Sequence, residues 1–356
     1  MTRRVDCIRS SAIRRIFEKA AGMPDVVNLS IGQPDFAVPA QVKDAMVDAI
    51  HQDKTGYTPS AGLPGLRRWA AGKEGKEDAI ITPGATAAIF LTYSVLLEES
   101  DELIIFDPYF VVYPDLCRFL GITPVVANTK EDYSIDCTAL RNSITPRTKA
   151  ILVNTPNNPS GHVISEDEKR SLLQIAEEHD LWIISDEVYE KFDYEGQFVS
   201  FRDYPRSIVI NGFSKSLAMT GLRVGYAAGP SSMINAMVKL QQYSFVCAPS
   251  IAQHAVSDCD ISKEVLGLKR KRDMLYDGLK DSYNIVKPEG AFYMYIKLEG
   301  ISGTRFSEMC LDNGLLVVPG GAFSRKDDHV RLSFAADEED IRKGIGILTS
   351  DKLPIP

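Results

Sequence analysis

The sequence predicts an α/β fold: a mostly parallel, doubly wound sheet of seven strands, accompanied by a smaller α+β domain. Three observations predict it. Short runs rich in β-branched residues alternate with helix-like runs through the middle of the chain. Several of these runs are apolar without interruption, as strands covered on both faces must be. After residue 230 or so the alternation stops and a different pattern begins.

Taken in order, the strand candidates are "DAIIT" (78–82), "DELIIF" (101–106), "TPVVAN" (123–128), "KAILVN" (149–154), "LWIISDE" (181–187), "SIVING" (207–212) and "RVGYAAG" (223–229). Helix-like segments separate them. "SEDEKRSLLQIAEEHD" (165–180) is the clearest, with Ser165 as cap candidate and acidic residues in its first turn. A long helical region is expected over roughly 231–283, followed by strands in "GAFYMYIKLEG" (290–300) and "HVRLSFAA" (329–336). One amphipathic helix, "SAIRRIFEKAAG" (11–22), precedes the loop "LSIGQPDF" (29–36). The expected division is an arm, 1–36, joining the small domain; a large domain, 37–240; and a small domain, 241–356.

At 356 residues the chain is too long for one small core. Apolar residues at 44% and charged residues at 25% are ordinary for a globular protein. A net charge of −8 argues against a nucleic-acid partner. The six cysteines are scattered with no C-x-x-C, which disfavours a zinc site or a disulfide framework and suits a reducing compartment. No apolar run reaches membrane-spanning length. The charged start, "MTRR", lacks the apolar core of a secretory signal, so a cytoplasmic protein is expected.

Ligands in doubly wound sheets sit beyond the carboxyl ends of the strands, so the polar residues there matter most. After 78–82 comes "PGATAA", in which Gly84 permits close backbone approach and a helix start offers free N–H groups to an anion; packing alone also explains such a glycine. After 101–106, Tyr109, Phe110 and Tyr113 stand either at a site edge or in the core. After 149–154, Asn154, Asn157 and Asn158 are more amides than a turn needs. Asp186 follows four apolar residues, as a cap, a paired strand end or a site carboxylate, with Tyr189 three positions on. Lys215 stands in "NGFSKSLAMTGLRVGY" (211–226) with no other charge before Arg223. A lone lysine is ordinarily solvated; these neighbours would desolvate it and make its amine nucleophilic near neutral pH.

Together these segments resemble the class I/II aminotransferases, pyridoxal-phosphate enzymes of fold type I. The match runs in family order through "SIGQPDF", "YTPSAGLPGLRRWAA", "TPGATAA", "DPYFVVYPD", "NTPNNPSG", "SDEVYEKF", "SKSLAMTGLRVGY", "PEGAFYMY" and "VRLSFA". The resemblance implies that Lys215 forms the Schiff base with the cofactor aldehyde and that Arg223 clamps the cofactor phosphate. Asp186 would face the pyridine nitrogen; Tyr189 and Asn158 would donate to the ring's phenolic oxygen; Phe110 would stack on the ring. Ala85, Thr86 and Ser214 would belong to the phosphate site, and Tyr57 would reach the phosphate of the neighbouring subunit in a homodimer with shared sites. Arg331 would bind the substrate carboxylate, with Asn158 beside it and Gly32 in the loop that closes over the substrate. Many members carry serine three positions before the lysine; here that position is Gly212, which removes one phosphate donor.

The activity so implied is ping-pong transamination between an L-amino acid and a 2-oxo acid, with 2-oxoglutarate as expected acceptor. Another reaction on the same fold, such as a carbon–sulfur β-lyase, shares Lys215, Asp186 and Arg223. A regulator's effector domain is disfavoured by the short segment before residue 29, and a dinucleotide dehydrogenase by the lack of G-x-G-x-x-G. A subgroup selective for aspartate uses a lysine where this chain has Thr86, which argues against aspartate as primary donor. Aromatic, alanine-type or broad specificity stays open.

Overall fold

The computed structural model describes residues 3–8, 23 and 25–354. The amphipathic helix expected at 11–22 lies outside them. The chain forms β1 (Val27–Asn28), β2 (Asp78–Thr82), β3 (Glu102–Asp107), β4 (Thr123–Asn128), β5 (Thr148–Asn154), β6 (Trp182–Asp186), β7 (Ser207–Gly212) and β8 (Gly225–Gly229). Then come β9 (Asn284–Ile285), β10 (Tyr293–Lys297), β11 (Leu315–Leu316), β12 (Val318–Pro319) and β13 (His329–Ser333).

Seven of these make the main sheet, in the order β2-β8-β7-β6-β5-β3-β4. β8 runs antiparallel to both its neighbours; the other pairings are parallel. Uninterrupted apolar strands follow from burial on both faces. Leu103, Ile105, Leu152, Ile184, Ile208 and Ile210 enter one core, while Ile104, Ile151, Val153 and Ile183 enter the opposite one. β3 and β4 were laid down on one side of the point where β5 joins, and β6 and β7 on the other. The crevice beyond the carboxyl ends of β3 and β5 is therefore the switch point where a ligand is expected.

A four-stranded antiparallel sheet, β12-β13-β10-β9, forms the second unit. β1 pairs in parallel with β11, and the Ser333 N–H donates to the Leu29 carbonyl at 2.7 Å, so residues 27–29 are built into this unit.

The continuous helical region expected at 231–283 is three helices instead: Ser231–Ser244, Ser250–Ala255 and Ser262–Leu279. Pro249 cannot extend the first helix, and Val246 turns to a φ of 67° before it. Val256 is extended, and Asp260 turns the chain just ahead of the last helix by accepting from the Ser262 N–H at 2.9 Å. The cap reading of Ser165 holds in full: Ser165 and Glu168 form a reciprocal capping box ahead of helix Glu166–Glu178.

Candidate active site

Between the two sheets lies an open cleft of roughly 410 Å³. Its walls include Gly32, Ala85, Thr86, Phe110, Asn158, Asp186, Tyr189, Ser214, Lys215, Arg223 and Arg331. Eleven residues singled out in sequence, from positions spread over 300 residues, thus converge on one space. Tyr57 is not among them. It stands 89% exposed on the surface of the chain.

The strand ends do the placing. β5 and β6 are in register at Asn154 and Asp186. The Asn154 amide donates to the Asp186 carbonyl at 3.0 Å, and its oxygen accepts from the Asn158 N–H at 2.9 Å. Asn157 serves the turn, accepting from the Ser160 N–H and hydroxyl. Only Asn158 is left to aim its amide at the cleft, which accounts for the excess of asparagines.

Asp186 is neither a helix cap nor an ion-paired strand end. Its carboxylate accepts from the Tyr113 hydroxyl at 2.7 Å and, weakly, from the Val188 N–H at 3.4 Å. Burial pushes its carboxyl up to about 6, against the pull of the Tyr113 bond and of Lys215. Of the two readings open for Tyr113, site edge or core, the bond to Asp186 and its place on the cleft wall favour the site edge.

Lys215 sits in the single helical turn Phe213–Ser216 that leaves β7, and its amine donates to the Gly32 carbonyl at 2.5 Å. Burial, reinforced by Arg331 and Arg223, lowers it to about 8, with Asp186 opposing. Arg331 is 3% exposed. Its guanidinium lies between the Tyr293 and Phe323 rings, 4.4 Å from each centroid, and donates to the Asn158 side chain at 3.0 Å and the Ser30 carbonyl at 2.8 Å. Its Nε has no partner.

Gly84, at φ 83°, starts helix Ala85–Leu96, whose first N–H groups have no helical acceptor. A side chain at Gly84 would collide with the Arg223 guanidinium, so the glycine lets that cation lie against the helix start. Gly225 is equally constrained, since a Cβ there would lie 2.6 Å from the Ala85 nitrogen. At Gly212 a Cβ would lie 3.1 Å from the Gly225 Cα and 3.2 Å from the Val224 carbonyl. A side chain at Gly212 would thus fit only if β8 gave way by a few tenths of an ångström.

Among the described residues no carboxylate pairs with Lys215, Arg223 or Arg331. The cleft gathers three cations against one buried carboxylate, Asp186. Arg331 is buried, Lys215 half-buried and Arg223 exposed, and positive charge gathered on one cleft suits anionic groups on what it binds. Pyridoxal phosphate with an amino acid fits: a phosphate for the helix start and Arg223, an aldehyde for Lys215, a ring nitrogen for Asp186, and a carboxylate for Arg331.

Comparisons with known proteins agree. Residues 24–348 match the family model described as aminotransferase class I and II. The chain is 37% identical to a probable aspartate aminotransferase of Methanocaldococcus jannaschii, covering 96% of each chain. It is 37% identical to the aspartate/prephenate aminotransferase of Thermus thermophilus, covering 97% of each. A solved structure of the Thermus thermophilus aspartate aminotransferase with maleate superposes with a TM-score of 0.92 at 37% identity, over 98% of both chains. The chain belongs to the class I and II aminotransferase family: it is a pyridoxal-phosphate-dependent transaminase of fold type I.

Proposed function

We propose that the protein moves an amino group from an L-amino acid to a 2-oxo acid, 2-oxoglutarate among them, in a ping-pong cycle. The observation that carries this reading is the cleft's charge balance: Lys215, Arg223 and Arg331 face a single buried carboxylate. Bound pyridoxal phosphate supplies an aldehyde and a ring that accepts the electrons released at the substrate α-carbon. The chain's residues do the rest. Arg331 takes the substrate carboxylate bidentately, with Asn158 holding the guanidinium in place. Lys215 would anchor the cofactor through its amine and, when that amine is free, would accept the proton leaving the substrate α-carbon. Asp186 would keep a proton on the pyridine nitrogen; Tyr189 and Asn158 would donate to the phenolic oxygen; Phe110 would cover the ring. Arg223, Thr86, Ser214 and the Ala85 N–H hold the phosphate, and the Gly32 loop covers the substrate.

On the same footing the protein is a homodimer whose Tyr57 completes the partner's phosphate site; exposure of that side chain supports the reading. Scattered cysteines with no C-x-x-C suit a cytoplasmic setting. The expected domain boundary at 240/241 falls inside helix Ser231–Ser244, and helix Ser250–Ala255 packs against Ala40–His51. We place the boundary in the loop 256–261. The names of the Thermus relative point to aspartate and prephenate as substrates; with Thr86 at the turn, aromatic donors are the first to test.

Borohydride reduction of the holoenzyme followed by peptide mapping tests the reading. The cofactor is expected on Lys215, and a modified lysine elsewhere overturns it. A panel of amino donors against 2-oxoglutarate is expected to yield glutamate and the matching oxo acid. Pyruvate and ammonia from a sulfur-bearing donor, with no glutamate, would make the protein a lyase.

A further inference from the structure

Tyr293, on β10, lies within "PEGAFYMY" but was given no role there, yet its hydroxyl lies 2.9 Å from the Tyr189 hydroxyl. Both side chains are almost fully buried, at 1% and 4% exposure. Burial pushes both phenols up, so each keeps its proton. The Tyr293 ring has no freedom to turn away. Arg331 lies on one face, Phe292 packs at 4.8 Å, and Tyr189 meets it edge-on at 83°. Gly32 closes the remaining side, where a Cβ would lie 2.5 Å from the Tyr293 oxygen.

A phenol has one proton to give. On the proposed reading of the site, on which this inference rests, Tyr189 gives its proton to the cofactor's phenolic oxygen. That oxygen is anionic and can only accept. The Tyr189–Tyr293 contact must then run from Tyr293 to Tyr189. We propose that Tyr293 is a positioning residue: it donates to Tyr189, keeps the Tyr189 proton aimed at the cofactor, and so sets how readily the Lys215–cofactor linkage holds its own proton. A hydroxyl that accepts a hydrogen bond becomes a stronger donor. A stronger donor draws charge from the phenolic oxygen, and the linkage beside it releases its proton at lower pH.

The test is an absorbance titration of the holoenzyme against pH in the parent, Tyr293→Phe, Tyr189→Phe and the double variant. Tyr293→Phe is expected to raise the titration midpoint by about half a pH unit, the scale of one neutral hydrogen bond acting at second hand. Tyr189→Phe is expected to raise it further, and the double variant to match Tyr189→Phe alone. A Tyr293→Phe midpoint equal to the parent's overturns the inference. So does a shift that persists undiminished in the Tyr189→Phe background. If Tyr293→Phe does not accumulate as folded holoenzyme, Gly32→Ala displaces the same hydroxyl and is read in the same two backgrounds. Peptide mapping of the reduced parent separates the two levels. Cofactor on another lysine overturns the site reading and this inference together; cofactor on Lys215 with no shift overturns this inference alone.

Discussion

Asp186 and Lys215 show opposite effects of the same burial. Each is moved toward its uncharged form, the carboxyl up to about 6 and the amine down to about 8, so both still carry charge at neutral pH but lose it close by. For Asp186 the consequence is a dependence on what faces it. Asp186→Asn is expected to bind cofactor but to transaminate at least about 10²-fold more slowly, about 2.7 kcal/mol of barrier, because the amide cannot keep the ring nitrogen protonated. Single-turnover rates with a fixed amino donor check this, and parental turnover would return Asp186 to a structural role. For Lys215 the consequence is kinetic. Only the neutral amine attacks an aldehyde. Attachment of pyridoxal phosphate to the apoenzyme is therefore expected to quicken as pH rises and to level off above about 8, well short of the 10.5 of an ordinary lysine. A rate still climbing past pH 9.5 would mean that Lys215 is solvated. These two residues were legible because each interrupts an apolar run at a strand end. Tyr113 was legible only as a residue of the site edge or the core, and the roles of Tyr113 and Tyr293 were not, because they depend on partners 73 and 104 positions away.

At the scale of elements, the turn after β5 is tied to the loop before β10 by one imidazole. His162 bonds Glu168 at 3.0 Å through one ring nitrogen and Glu289 at 3.1 Å through the other. Glu289 also accepts from the Val163 N–H, and the Glu289 and Gly290 N–H groups donate to the Gly161 carbonyl. Burial opposes charge on the ring, but the two carboxylates outweigh it and push His162 up to about 9; Asp132 adds a further nearby charge. A raised histidine stabilises the fold fully below its ordinary value of 6.5 and loses that contribution as pH climbs through 9. Unfolding free energy is thus expected to fall between pH 6.5 and 9.5, by at most about 3 kcal/mol. His162→Gln is expected to flatten that slope in denaturant titrations, and an unchanged slope would show the imidazole to be neutral. None of this network was read from sequence: "NTPNNPSGH" signals a turn, but Glu289 joins it only through the fold. The strands were legible because buried parallel strands carry a strong apolar signature. The three helices read as one long region were not, since Pro249 and the extended Val256 interrupt a composition that stays helix-favouring on either side.

For the whole molecule, the segments around Tyr57 form a face that one chain leaves bare. Tyr57 and Tyr243 are 89% and 86% exposed, and Val47, Ile50 and Val246 are all more than two-fifths exposed. These segments are bound to one another. Gln253 donates to the Thr58 hydroxyl at 3.0 Å, Ser250 to the Lys54 carbonyl at 2.8 Å, and Gln241 to the Ser60 carbonyl. Apolar side chains clustered on so well-fixed a surface call for a partner, and the proposed homodimer, with Tyr57 completing the neighbour's phosphate site, supplies one. Two outcomes are expected. Tyr57→Phe alone weakens cofactor affinity without altering the Lys215 linkage. In mixtures of two inactive chains, one Lys215→Ala and the other Tyr57→Ala with a second disabling change in the same loop, activity returns after subunit exchange. Each hybrid dimer then has one site with an intact lysine from one chain and an intact Tyr57 loop from the other. The opposite site carries both lesions. Random reassortment makes half the dimers hybrid, so recovery is expected to approach roughly a quarter of the parental activity and no more. A monomer in sedimentation at working concentration, or no recovery after exchange is verified by mass, would show that each chain completes its own site.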